Sequence, residues 1–447
     1  MKKILTIAAA LLLLASCGLY KKYECPEFEG VKGPDSLEVI SWRQMFADPL
    51  LQRLIETALE NNPDMQAALM RVDQARASLA ASKAAYWPSA SVNAGAGVPN
   101  TPLDASPSGY LTLGARADWQ IDIFGARLNA RRGSEAALAQ REAYAQAVRT
   151  DLIASVAESY YMLAALDDQL RISEEAVKTW ESTIKVLSSL KAAGKTNEVA
   201  VLQAEARKLK IEASAVALRK SIAAGENALG LLLGQDLSGS GVARDSLGSA
   251  TFPEEFFSGI SLGTVALRPD IRAAELALAQ AYYDVNSARA ALYPSLSLSG
   301  TLGWTSSTGK ISDPSSWIWN ALASLTQPIF GARANRSRKE IAEAEAEIAK
   351  IQFRQALLKA GNDVNDALTA CQAAKEKIDL DTQQQEALQK VVQRIELLMK
   401  YSTTTYLEVL TAQQSFLDAE LSLVSDKREL AAACIALYRA VGGGADQ

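Results

Sequence analysis

Tyr110-Leu-Thr-Leu-Gly-Ala-Arg-Ala-Asp-Trp-Gln-Ile-Asp-Ile-Phe124 alternates almost perfectly. Leu111, Leu113, Ala115, Ala117, Trp119, Ile121 and Ile123 fall on one face of an extended strand. Tyr110, Thr112, Gly114, Arg116, Asp118, Gln120 and Asp122 fall on the other. Fifteen residues of period two exceed the usual soluble strand of about five or six residues and suit a tilted membrane strand. Trp317, Trp319, Ala321, Ala323 and Leu325 give a second such face, with Ile318 and Leu322 intruding on its partner. Four strands follow from this pattern, near 89–98, 110–124, 295–305 and 317–330, each pair joined by a loop rich in Pro, Ser, Gly and Asp. Trp87, Trp119, Tyr293, Trp304, Trp317 and Trp319 stand where membrane-interface aromatics are expected. A two-sided soluble sheet packed on helices is the competing reading. A sheet in lipid must close, because each unpaired backbone group there costs several kcal/mol. Known barrels start at about eight strands, so four strands require several copies to share one barrel, and three copies supply twelve.

Working outward, the chain is a duplicated module. Pro63–Asp64 returns as Pro269–Asp270, Trp87–Pro88 as Tyr293–Pro294, and Ile123-Phe-Gly-Ala-Arg127, letter for letter, as Ile329-Phe-Gly-Ala-Arg333. Each pair is 206 residues apart. In each half a helical stretch (about 48–86 and 262–292) precedes the strands and a very long helical region follows them. None of the 13 prolines lies between Pro107 and Pro253, and none after Pro328. A proline inside a helix costs about 3 kcal/mol, so these gaps fit two long helical hairpins. Their turns are expected at Ala193–Asn197 and Ser402–Thr405. Val199, Leu202, Ala206, Leu209, Ala213 and Val216 step by coiled-coil spacing, as do Leu407, Leu410, Gln414, Leu417, Leu421 and Val424. A helix over residues 127–191 would reach about 95 Å, a length that suits a tube or a stalk.

The composition excludes several other classes. The chain has 447 residues, 49% hydrophobic, with 46 basic and 51 acidic side chains and no histidine. The mildly acidic balance gives no electrostatic reason to bind nucleic acid. Without imidazole, histidine metal sites and Ser–His or Cys–His pairs are absent. No catalytic, cofactor-binding or metal-ligating set stands out, and no cofactor is expected. Met1-Lys-Lys3, the apolar run Ile4–Ala15 and Leu14-Ala-Ser-Cys17 read as a signal peptide (1–16) ending in a lipobox, with Cys17 acylated. An ordinary signal with an incidental cysteine is the alternative. Cys25, Cys371 and Cys434 suggest neither a disulfide framework nor a zinc site, and the last two read as small core residues. The remaining chain divides into a lipid-anchored extended segment (17–47) and two repeats (48–250 and 251–447).

As an ensemble, the lipobox, the paired halves, the aromatic-Pro strand entries, the Ile-Phe-Gly strand exits and Tyr406-Leu-Glu-Val-Leu-Thr-Ala-Gln413 resemble the outer membrane efflux proteins. Within that family they look most like the outer-membrane lipoprotein channels of resistance-nodulation-division (RND) pumps. The resemblance implies a fold that is mainly α with a membrane β-barrel: a homotrimer with a shared twelve-stranded barrel and a periplasmic helical tunnel. It also implies an outer-membrane location with a lipid anchor at Cys17, docking to a periplasmic adaptor and an inner-membrane RND pump, and a passive conduit rather than an enzyme. Gly194, Lys195, Thr403, Thr404 and Thr405 then become adaptor-contact candidates at the tunnel tip. Tyr401, Glu408 and Thr411 become candidates for the periplasmic aperture. Glu408 has a second reading, because Thr405-Tyr-Leu-Glu408 also fits a capping box. Arg116, Asp118, Gln120 and Asp122 would line the barrel lumen, choosing among cargo or simply wetting the wall. A type I secretion channel and a lipid-anchored coiled-coil scaffold without a pore are the alternative functions.

Overall fold

Alternation along the strands sets the register of the sheet. The computed structural model describes residues 21–25, 41–97, 110–236, 241–249, 252–253, 268–306, 317–327, 332–400 and 405–443. The chain divides into two units, one of residues 1–27, 70–143 and 272–355, the other of 28–69, 144–271 and 356–447. The first unit holds β1 (Ser89–Gly97), β2 (Tyr110–Ile121), β3 (Ser295–Ser306) and β4 (Trp317–Thr326). They form one antiparallel sheet in the order β1-β2-β3-β4.

Two strands are shorter than their alternation suggests. β2 stops at Ile121 rather than at Phe124, because the Asp122 carboxylate accepts from Leu128 N at 2.8 Å and turns the chain into the next helix. Gly125 makes that turn at φ 74°. β4 ends at Thr326 rather than at 330, two residues before Pro328, which has no N–H for a ladder; residues 328–331 lie outside the described residues.

The helical stretch expected over 48–86 is two helices. α2 (Pro49–Asn61) is capped by Asp48, and α3 (Pro63–Ala84) by the Asn62 side chain, which accepts from Asp64 N and Met65 N at 2.9 and 3.0 Å. Proline at the first helical position fits both starts, since its missing N–H would have no helical partner there. α6 (Pro269–Ala290) starts the same way in the second half. The long helices are α4 (Ala126–Ala192), α5 (Glu198–Leu233), α7 (Ala332–Lys400) and α8 (Tyr406–Ala440). Among the described residues no helix is long and apolar enough to cross a membrane.

The second unit has the main core. Residues 17–47 are not extended throughout: Trp42–Met45 form a helical turn, α1, started by a capping box on Ser41. Trp42, Met45 and Phe46 are fully buried with Tyr160, Trp180, Leu229 and Tyr438. Apolar bulk explains the difference, since burying a side chain of this size stabilises the fold by about 1.5–3 kcal/mol. Phe46 meets Tyr438 edge to face at 5.5 Å. Tyr160 donates its hydroxyl proton to Asp48 and accepts from Asp245 N at 3.0 Å.

One expectation about packing is corrected here. In α8 the heptad positions Leu410, Leu417 and Val424 are buried, as coiled-coil packing requires, while Leu407 at the helix start is exposed. In α5 the same positions face outward, with Val199, Leu202, Leu209 and Val216 52%, 55%, 62% and 63% exposed. α5 buries the adjacent, smaller set of Ala200, Val201, Ala204, Ile211 and Ala215 instead.

Candidate functional site

In the first unit, the register assembles two chemically distinct faces from all four strands. Val92, Ala115, Leu302 and Trp319 lie in one row, and Ala94, Leu113, Trp304 and Trp317 in another. Val92, Leu302, Trp319 and Leu325 are exposed. A contiguous apolar face of this extent on an isolated chain marks a surface that meets something other than water. On the opposite face Ser91, Arg116, Thr301 and Asn320 share a row, and Asp118 stands across from Ser299. Trp119 belongs to the apolar face and donates its indole N–H to Tyr86 O at 2.9 Å, tying the sheet to the chain leading into it.

The four lumen candidates are not equivalent. Arg116 Nε and Nη2 donate to Asp118 Oδ2 and Oδ1 at 2.6 and 2.9 Å, a bidentate pair on the polar face of β2. Gln120, near the strand end, accepts from Arg127 Nη2 at 3.0 Å. Asp122 lies beyond the strand and serves the first turn of α4. Arg127, which sequence reasoning did not single out, joins Gln120 to the carbonyl of Ala85. The signal was available, because Arg127 closes the one five-residue stretch repeated letter for letter in both halves.

In the second unit, the turn of the first hairpin is well defined. Gly194 N donates to Lys191 O and Lys195 N to Leu190 O, both at 2.9 Å, with Gly194 at φ 70°. This is a Schellman closure, in which glycine supplies the left-handed residue. Asn197 then caps α5 through Ala200 N at 3.1 Å, and Lys191 pairs with Glu198 at 3.1 Å. Gly194 and Lys195 are exposed. In the second hairpin Thr405 Oγ1 accepts from Glu408 N, and Glu408 Oε2 from Thr405 N, both at 3.4 Å, the reciprocal pattern of a capping box. Glu408 and Thr411 lie one turn apart on the exposed side of α8, while Val409, Leu410, Ala412 and Gln413 are buried. Gln413 reaches Thr183 of α4 at 3.0 Å. Tyr401, Thr403 and Thr404, like Cys17, lie outside the described residues. Among the described residues no three Cys, Asp or Glu side chains are grouped to hold a metal ion.

Comparison with known proteins decides what these surfaces belong to. The family described as "Outer membrane efflux protein" matches residues 54–235 and again residues 264–443. The chain belongs to the outer membrane efflux protein family. It is 29% identical to the cation efflux system protein CusC of Escherichia coli O157:H7, over all of this chain and 99% of that one. It is 27% identical to the antibiotic efflux pump outer membrane protein ArpC of Pseudomonas putida, over 99% of this chain and 96% of that one. A crystal structure of CusC superposes with a TM-score of 0.85 at 27% identity, covering 94% of this chain and 99% of the other. This family member is thus an outer-membrane efflux channel component, mainly helical, with one sheet of four strands among the described residues.

Proposed function

We propose that three copies of this chain pool their sheets into one twelve-stranded barrel, forming a passive conduit supplied by a periplasmic adaptor and an inner-membrane RND pump. The observation that carries the proposal is the sheet itself. Its apolar face runs across four strands, its polar face is interrupted on β4 by Ile318 and Leu322, and β1 and β4 remain as its two edges. In lipid those edges need partners, and the edge β1 of a neighbouring copy is the natural complement to β4. The outward apolar stripe on α5 supports the same association, since it gives a second copy a coiled-coil surface to pack against.

On this reading the apolar face meets lipid, and Arg116 and Asp118 stand on the lumen side with Gln120, while Asp122 anchors α4. Cys17 carries the acyl anchor. Gly194, Lys195 and Thr403–Thr405 form the surface offered to the adaptor, and Glu408, Thr411 and Tyr401 ring the aperture. The chain does no chemistry of its own, and its partners supply the energy. Purified protein should give discrete conductance steps in planar bilayers and the mass of three chains in detergent. A stable, water-soluble monomer without detergent, silent in bilayers, would overturn the proposal.

A further inference from the structure

The second hairpin brings together two cysteines that nothing above has used. Cys371 on α7 and Cys434 on α8 are 1% and 0% exposed and lie in the same hydrophobic core. The hairpin pairing leads directly to them. Asp381 accepts from Ser422 Oγ at 3.1 Å, and one turn away Lys377 pairs with Asp426. Six residues further back on α7 and eight further along α8 stand Cys371 and Cys434, so the hairpin sets them at nearly the same level within one buried cluster. Ala367 and Ala374 flank one of them, Ala431 and Ala433 the other, all buried. Such small neighbours let two helices approach to the Cα separation of under about 7 Å that a disulfide needs. Both thiols are free in this structure.

We propose that Cys371 and Cys434 form a disulfide that staples α7 to α8 in the mature channel. An outer-membrane protein folds in the oxidising periplasm, where disulfides form and persist. One cysteine thiolate attacks the disulfide of a periplasmic thiol–disulfide oxidoreductase, breaking that bond and giving a mixed disulfide. The second thiolate then attacks the cysteine sulfur of the mixed disulfide, closing the Cys371–Cys434 bond and releasing the oxidoreductase as its dithiol. Two protons and two electrons leave the chain, and the oxidoreductase accepts the electrons. Because both sulfurs are buried in the packed hairpin, the exchange takes place before the hairpin closes, and the finished bond is shielded from reductants. The staple fixes α7 and α8 at one level. The first hairpin has no cysteine, so only one of the two repeats is restrained.

The test is differential alkylation of the full protein extracted from outer membranes. It is denatured in iodoacetamide without reductant and mapped by mass spectrometry, with exposed Cys25 as the internal control. The expected result is modification of Cys25 alone, a linked peptide pair two hydrogens lighter than its parts, and modification of Cys371 and Cys434 only after reduction. Protein from cells lacking the periplasmic thiol oxidant should show all three modified. The double variant Cys371→Ala, Cys434→Ala should melt at one temperature whichever cells produced it, whereas the parent should melt lower when made without the oxidant. Alkylation of Cys371 and Cys434 without reductant in oxidant-competent cells overturns the proposal. So does a parent melting temperature that is the same from both sources.

Discussion

Helices α5 and α8 hold corresponding places in the two repeats, and their heptad residues step in parallel, Val199 to Val216 in one and Leu407 to Val424 in the other. In α8 the stripe from Leu410 onward turns into the core of the second unit, whereas in α5 it turns away and leaves four large apolar side chains in the open. What distinguishes α5 is its second apolar face. Ala200, Val201, Ala204 and Ala215 are small, so the helix packs closely through them and keeps Leu202 and Leu209 for another surface. Duplication thus produced two helices of one pattern, with one building the fold and the other, on the proposed reading, building the assembly.

Charging the outward stripe gives the largest expected effect. Leu202→Lys combined with Leu209→Lys should reduce the trimeric fraction in detergent by about tenfold or more, because two ammonium groups would be buried without partners. Light scattering should record the loss of mass while circular dichroism shows the helices intact. If the variant instead unfolds, or remains trimeric, the division of labour between the helices is wrong. The matching change in α8 should have the opposite profile. Leu417→Ala removes a buried side chain and should cost about 2–5 kcal/mol in denaturant unfolding of the detergent-dispersed single chain. Leu209→Ala, on the exposed stripe, should stay within about 0.5 kcal/mol in the same assay.

How much of this was legible in the sequence follows the physics of each element. The four strands could be read because period two along Tyr110–Phe124 has no helical counterpart, and proline positions bounded the long helices. Strand ends were less visible, since Asp122 looks like one more polar residue in the alternation until its bond to Leu128 N is seen. The buried turn at Trp42–Met45 was hidden because four residues are too few for a helical period. The facing of α5 could not be read at all. A helix with apolar residues on two sides does not state which side the chain itself will use, and the larger residues were the misleading choice. Among the site candidates, Glu408 and Thr411 came from the family resemblance alone, and only the folded chain separates Arg116 and Asp118 on the strand from Asp122 beyond it.

The two hairpins also differ in where they keep charge. The first carries solvent-accessible pairs, half-buried Lys208 with Glu181 at 3.0 Å and exposed Arg219 with Glu174 at 2.6 Å. The second buries Asp426 completely, against Lys377 and Asp381, with Glu429 3.7 Å from Lys377. Burial, together with the hydrogen bond that the protonated group donates to Asp381, pushes the Asp426 carboxyl above its ordinary range, and Lys377 only partly offsets this. Asp381 is held below its ordinary value, chiefly by the hydrogen bond with Asp426. A carboxyl raised on folding favours the folded state while protonated, and that contribution is lost as pH rises through the raised value. Asp381 acts in the other direction, losing its contribution as pH falls through its lowered value. Lys377→Met should move Asp426 further up, so the melting temperature should fall more steeply than the parent's as pH rises above the ordinary carboxylate range. Lys208→Met, in the first hairpin, should leave the pH profile of the parent unchanged. Equal profiles for the two variants would remove this contrast.

The smallest effect belongs to the tips, where the comparison is sharpest. Asn197 caps α5 with an amide, whereas Thr405 and Glu408 cap α8 with a carboxylate that also carries charge to the proposed aperture. Glutamine serves a capping box as glutamate does, so Glu408→Gln separates the two roles. It should leave stability within about 0.5 kcal/mol of the parent, whereas Glu408→Ala, which loses one of the two reciprocal bonds, should cost about 0.5–1 kcal/mol. Three carboxylates around a narrow axis favour cations, so the glutamine variant should shift the reversal potential across a salt gradient toward less cation preference. A glutamine channel with the parent's ion preference would leave Glu408 a cap alone. A glutamine variant as unstable as the alanine one would show that the carboxylate charge at the α8 N-terminus, rather than the hydrogen bond, is what holds the turn.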